Sequence, residues 1–403
     1  MPISRNVTEA LDRSSWIRRM FEEGARLRQE HGDDAVFDFS LGNPILPPPE
    51  ALLARMEELV RSEGAHRYMP NAGWPEVRAK VAAHLERRTG IPYTAANVVM
   101  TVGAGGGLNV LFRAILNPGD EVIVLSPYFV EYGFYVQNAG GVLVEVQTTS
   151  NFGPPPAEAL LERVTRRTKA VVINFPNNPT GRVYSSAELQ SFCDALRAAS
   201  ERIGTPILLI TDEPYRKILY PGVECPEVPP AYDDTVLITS HSKDLGLAGD
   251  RIGTLAISPR IGDADELFAA CTFCNRTLGF VSAPSLFQLA VADFQDASVD
   301  TTLYRENRRI LVEHLRGLGF QFEEPGGAFY LFPKSPGENE IDFVNELLAE
   351  RILVVPGRGF GSPGHFRISY AVPTETVVNS LPGWTRVAAR HPSLSPCSEE
   401  CCE

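Results

Sequence analysis

Residues 170–181 read AVVINFPNNPTG: an apolar, β-branched run that ends at Asn174 and enters a loop stiffened by Pro176 and Pro179. Runs of the same kind recur on both sides. NVVMTV (97–102), EVIVL (121–125) and VLVEV (142–146) precede it, and ILLIT (207–211), VLIT (236–239) and IGTLAI (252–257) follow. Stretches of helical periodicity, such as 106–116 and 186–200, separate most of them. Strands that alternate with helices predict a mostly parallel sheet covered on both faces. The expected fold class is α/β.

Beyond residue 290 the character changes. Residues 302–319 form a charged amphipathic helical pattern, and short strand signals follow at 328–332, 352–355 and 365–370, with a helical stretch at 341–350. A chain of 403 residues exceeds what one hydrophobic core usually supports. The expected division is a large three-layer domain over 51–290 and a smaller α+β domain over 291–392. The first 50 residues are too few for a domain and are expected to pack on the smaller one. Residues 393–403 are expected to be a disordered tail.

A net charge of −13 argues against broad binding to nucleic-acid phosphates. No apolar run reaches the roughly 18 residues a membrane helix needs, and the first residues lack the apolar core of a secretory signal. The expectation is a cytoplasmic chain without membrane or nucleic-acid partners. The seven cysteines do not suggest a disulfide framework. Cys271 and Cys274 are spaced for one helix face, and nothing near them completes a zinc site, so no metal is expected.

In an open α/β sheet ligands bind beyond the carboxyl ends of the strands, and four segments at such ends carry chemistry. Gly103-Ala104-Gly105-Gly106-Gly107 leads from a strand into a helix; its free N–H groups could cradle a phosphate, or the glycines could serve packing alone. In 174–181 the asparagines offer paired donors and acceptors, either to a ligand or within the turn. Asp212 ends an apolar strand, where it could meet a cation or cap the next helix. Lys243, in Ser240-His241-Ser242-Lys243, follows a buried strand. Desolvation there would push its amine toward the neutral, nucleophilic form, with Arg251 eight residues on as a cationic neighbour.

With these segments in this order, the chain resembles the fold-type I pyridoxal-phosphate enzymes, and among them the class I/II aminotransferases related to aspartate aminotransferase. The resemblance runs from Ser40-Leu41-Gly42-Asn43-Pro44 to Phe366-Arg367-Ile368-Ser369-Tyr370. It implies that Lys243 holds pyridoxal phosphate as a Schiff base and, once freed, moves the substrate proton. It implies that Asp212 pairs with the cofactor's ring nitrogen and that Tyr215 and Asn178 bond its phenolic oxygen. Gly103, Ala104 and Gly105 would hold the phosphate with Ser240 and Arg251, though many relatives have a polar side chain in that turn. Phe129 would stack on the ring. Arg367, with the backbone at Gly42, would bind the substrate α-carboxylate, a group Asn178 also approaches. Tyr68 matches a tyrosine that reaches into the neighbour's phosphate site, which implies a homodimer with shared active sites.

The implied activity is transfer of an amino group from an L-amino acid to a 2-oxo acid in two half-reactions. Other pyridoxal-phosphate reactions on the same scaffold (β-elimination, decarboxylation, cyclisation) use a similar residue set, and a non-catalytic binding module would have no need of it. Arg276, expected in a loop before Pro284, has two readings. One is a reader of a substrate's distal carboxylate, given across the dimer; the other is a packing residue at the dimer surface.

Overall fold

The structure is a computed structural model that describes residues 3–4, 7–8, 11, 15–337 and 339–394. The expected tail therefore lies, from residue 395 on, outside the described residues, as do Cys397, Cys401 and Cys402.

Each of the seven apolar runs named above forms a strand. After β1 (Phe37–Asp38) come β2 (Val98–Thr101), β3 (Glu121–Ser126), β4 (Val142–Gln147), β5 (Thr168–Asn174), β6 (Leu208–Asp212), β7 (Thr235–Ser240) and β8 (Gly253–Ile257). The last seven form one sheet in the order β2-β8-β7-β6-β5-β3-β4. Only β8 runs antiparallel to its neighbours. Central strands are buried along nearly their whole length because helices cover both faces, whereas the edge strand β4 is largely half-exposed. Two apolar clusters fill the layers. Leu111, Phe112, Val172 and Ile238 lie in one, and Ile123, Ile173, Leu196 and Leu209 in the other.

The C-terminal part is built from short strands: β9 (Tyr330–Leu331), β10 (Ile352–Leu353), β11 (Val355–Pro356) and β12 (Phe366–Ser369). The single strand expected at 352–355 is two. β10 pairs in parallel with β1, while β11 joins β12 and β9 in a three-stranded antiparallel sheet. Through β1, residues 37–38 therefore join the C-terminal part. Helices Thr302–Gly317 and Thr374–Ala388 cover it, and Phe320, Phe343, Phe366 and Trp384 pack together beneath them.

Three local expectations are corrected. The glycine-rich turn at 103–107 is itself the start of a helix, Gly103–Ile115, with Gly107 packed close over Thr101 and Ile238 of the sheet. Lys243 sits in a single helical turn, His241–Asp244, and not in an open loop. Arg276 lies in the last turn of the helix Ala264–Thr277 instead of a loop, since the helix runs on almost to Gly279, which takes a positive φ of 93°. Cys271 and Cys274 are buried on that helix.

Candidate active site

Strands β5, β6 and β7 run parallel and end at Asn174, Asp212 and Ser240, so the carboxyl edge of the sheet presents these three residues side by side. Above that edge a cavity of about 360 Å³ opens. Of the residues picked out in the sequence, Gly42, Ala104, Gly105, Phe129, Asn178, Asp212, Tyr215, Ser240, Lys243, Arg251 and Arg367 line it. They come from segments up to 325 positions apart in the chain, from Gly42 to Arg367. Gly103, Tyr68 and Arg276 do not line it. Tyr68 is 90% exposed, and Arg276 is exposed with its guanidinium 5.4 Å from the Phe273 ring centre.

Asp212 is buried at the floor. Its Oδ2 accepts a hydrogen bond of 2.6 Å from the Tyr132 hydroxyl, while its Oδ1 is buried without a partner. Burial pushes the carboxyl up to about 7, against the Tyr132 hydrogen bond that favours ionisation; the charge of Glu213 adds to the rise. An unpartnered buried carboxylate oxygen is costly, and it implies a donor supplied from the cavity.

Lys243 faces it. Its Nζ donates to the Gly42 carbonyl at 2.7 Å. Burial, then the charges of Arg367 and Arg251, pull the amine down to about 8. That leaves an appreciable neutral fraction near neutral pH.

Arg367 is also buried. Nη1 donates to Asn178 Oδ1 at 2.9 Å and Nη2 to the Ser40 carbonyl at 2.7 Å, while Nε has no partner. The Tyr330 and Phe360 rings each lie 4.8 Å from its guanidinium carbon, which limits its swing. Asn178 is held in turn: its N–H donates to Asn174 Oδ1 at 2.8 Å, and Asn174 Nδ2 donates to the Asp212 carbonyl at 2.7 Å. A continuous polar rod therefore joins the Asp212 backbone to Arg367.

The first turn of the helix Gly103–Ile115 lines the cavity at Ala104 and Gly105, where its N–H groups have no partner within the helix. Gly103 has φ 68°, a left-handed conformation that favours glycine, and it lies against the Arg251 guanidinium. Arg251 itself holds a positive φ of 55°, a strain of order 1 kcal/mol for a non-glycine residue.

Three lining residues carry no signal in the sequence pattern. Tyr132 supplies the only hydrogen bond to the Asp212 carboxylate among the described residues. The Tyr330 hydroxyl meets that of Tyr215 at 2.7 Å, and it leaves no room for a Cβ at Gly42. Glu131, in the first turn of the helix Glu131–Asn138, puts a carboxyl group at the cavity wall.

The family model described as aminotransferase class I and II matches residues 34–381. The chain belongs to that family. This aminotransferase is 36% identical over 360 residues to the aspartate/prephenate aminotransferase of Thermus thermophilus, covering 87% of this chain and 90% of the relative. It is 31% identical to the aspartate aminotransferase of Pyrococcus horikoshii, covering 92% and 94%. Among solved structures, an amino transferase from Eubacterium rectale superposes with a TM-score of 0.93 at 38% identity, covering 97% of this chain and all of that one. The Thermus thermophilus aspartate aminotransferase with maleate gives 0.84 at 31% identity, covering 96% and 100%. The family generally uses pyridoxal phosphate. Among the described residues, no helix is long and apolar enough to cross a membrane, and no group of three or more His, Cys, Asp or Glu could hold a metal ion.

Proposed function

We propose that this aminotransferase uses pyridoxal phosphate bound at Lys243, and that it moves the amino group of an L-amino acid to a 2-oxo acid in two half-reactions. The observation that carries the proposal is the pairing, across one cavity, of a depressed lysine and a buried carboxylate whose Oδ1 has no partner. The residues present fit the cofactor. Asp212 Oδ1 offers an acceptor to a protonated ring nitrogen, Phe129 an aromatic face, and Asn178 and Tyr215 donors to a phenolic oxygen. Ala104 and Gly105, just after Gly103 in the first turn of the helix, offer backbone N–H groups to the phosphate, with the Ser240 hydroxyl and the Arg251 guanidinium also lining the cavity.

When bound, pyridoxal phosphate supplies the electron-withdrawing ring that accepts the electron pair left at the substrate Cα. Arg367 orients the substrate through its α-carboxylate, with the Asn178 side chain and the Ser40 carbonyl fixing the guanidinium plane. Lys243 Nζ takes the Cα proton in its neutral form, which its depressed pKa makes available. Asp212 must be ionised to hold a ring N–H, and that donor supplies the compensation its buried carboxylate lacks in the protein alone.

Borohydride reduction of the yellow holoenzyme, followed by peptide mapping, tests this. The expected label is on Lys243 in Ser240-His241-Ser242-Lys243; a label elsewhere, or none, refutes the assignment.

The proposal extends to organisation. Residues 51–290 would form the cofactor-holding unit, and 291–392 with the first 50 residues the smaller one, a division supported by the pairing of β1 with β10. Two chains would share their sites, each lending Tyr68 to the other's phosphate; its 90% exposure is consistent with a partner that covers it. Arg276, exposed over Phe273, suits either of its two readings at the dimer surface. The protein is expected to sediment as a dimer. Inactive Tyr68→Phe and Lys243→Ala chains, when mixed, should form heterodimers with altered cofactor retention. A fully active monomer would rule the shared site out.

A further inference from the structure

The helix Gly103–Ile115 opens with Gly103, Ala104, Gly105, Gly106 and Gly107, so its first turn offers a ligand no polar side chain of its own. The helix Glu131–Asn138 meets the cavity with Tyr132 and Tyr135, three residues apart on one face. Tyr132 is engaged with Asp212. The Tyr135 hydroxyl is not engaged: among the described residues it makes no hydrogen bond. It stands where a side chain of residue 105 would begin, since a Cβ on Gly105 would come within 2.9 Å of it. Gly105 is not among the glycines with positive φ, so its bare Cα makes room for this hydroxyl and does not serve a turn. Arg251 reaches the same corner of the cavity. Its guanidinium lies against Gly103, and its charge acts on the Tyr135 phenol.

Resting on the cofactor reading proposed above, we infer that Tyr135 is a further phosphate-binding residue, whose hydroxyl takes the place of the polar side chain that the 103–105 turn lacks. Half-buried beside Ala104 and Gly105, it brings a donor to the N–H groups of that turn from a different helix. Burial, then the charges of Glu131 and Asp212, push the phenol up, so it stays protonated and donates throughout the neutral range. A hydroxyl that donates to a charged phosphate forms a stronger bond than one between neutral groups. Donors lent by a partner chain would add to this one and leave its contribution in place. The plain alternative is that Tyr135 only packs its ring on the apolar cluster around Leu108 and Tyr132, a place phenylalanine would fill equally well.

The test titrates the cofactor-stripped full chain with pyridoxal phosphate and with pyridoxal, which has the same reactive ring and no phosphate. Both meet Lys243 alike, so the ratio of their affinities isolates the phosphate. Tyr135→Phe keeps the ring and removes the hydroxyl, and the ratio is expected to fall by about 10- to 100-fold. A ratio within about threefold of wild type overturns the inference. Adding Gly105→Ser to Tyr135→Phe returns a hydroxyl to the turn, in space the lost one vacates, and should restore the ratio by about fivefold or more; no recovery counts against the role. Inorganic phosphate, as competitor, should displace pyridoxal phosphate from Tyr135→Phe only at higher concentration relative to the cofactor's own affinity for it; an unchanged phosphate affinity contradicts the assignment. If wild type binds pyridoxal as tightly as pyridoxal phosphate, the cofactor reading fails and the inference with it. If wild type prefers pyridoxal phosphate and Tyr135→Phe prefers it equally, only the role of Tyr135 fails.

Discussion

Lys243→Ala is expected to lower kcat by about 10⁴-fold or more, since it removes both the cofactor's attachment and the base that moves the Cα proton. The same change should stabilise the cofactor-free protein at neutral pH. The folded-state pKa of Lys243 is depressed from 10.5 to about 8, so between those values the unfolded chain binds more protons than the folded one. Stability from this group therefore rises with pH through that window, and below it the buried ammonium opposes folding. The difference amounts to at most about 3 kcal/mol. Thermal melts of the stripped protein at pH 7 and pH 10 would reveal it: Lys243→Ala should melt higher than wild type at pH 7, with the gap narrowing toward pH 10. A variant that retains activity, or that melts lower at both pH values, contradicts the buried-amine account.

Asp212→Asn should be the second large effect. An amide cannot balance a positive ring nitrogen, and loss of such electrostatic support costs about 10²- to 10³-fold in kcat. Stability should move the other way here too. The folded-state pKa is raised from 3.8 to about 7, so the folded chain binds more protons across that interval. The corresponding stability is complete below the unfolded value and is lost as pH rises through the folded one, by at most about 4 kcal/mol. Cofactor-free wild type should therefore lose stability between about pH 4 and pH 7, while Asp212→Asn does not. Tyr132→Phe separates the two functions of the site, because it keeps the charge but deletes the 2.6 Å hydrogen bond. It should raise the Asp212 pKa further and weaken cofactor retention without abolishing turnover. A pH-independent difference between wild type and Asp212→Asn would argue against a titrating buried carboxyl group.

The large sheet is legible in the sequence because its strands are buried on both faces and so read as unbroken apolar runs; β3, β5 and β7 need no tertiary knowledge. Residues 352–355 read as one strand because both halves are equally apolar. What divides them is the choice of partner, β1 for one and β12 for the other, and no local pattern encodes that. The cavity-lining set is legible where loops follow strands, as at Asn178, Asp212 and Lys243, because polar residues stand out there against apolar runs. Tyr132 is not, since its role depends on the helix after Phe129 aiming a hydroxyl at a carboxylate 80 positions away. Tyr330, in the run Ala328-Phe329-Tyr330-Leu331-Phe332, is indistinguishable in sequence from ordinary core.

Ser40 and Gly42 lend their carbonyls to the Arg367 guanidinium and the Lys243 ammonium, respectively. A short length of backbone thus supplies a hydrogen-bond acceptor to a cation at both places. Any ligand that captures either side chain must compete with it, and each charged hydrogen bond surrendered is worth about 1.5–3 kcal/mol. Thermodynamic reciprocity then couples the two sites without any contact between their ligands: occupancy at Lys243 frees one end of the Ser40–Gly42 link and lowers the cost of freeing the other. Substitutions that stiffen residues 40–44 should accordingly weaken both binding events together.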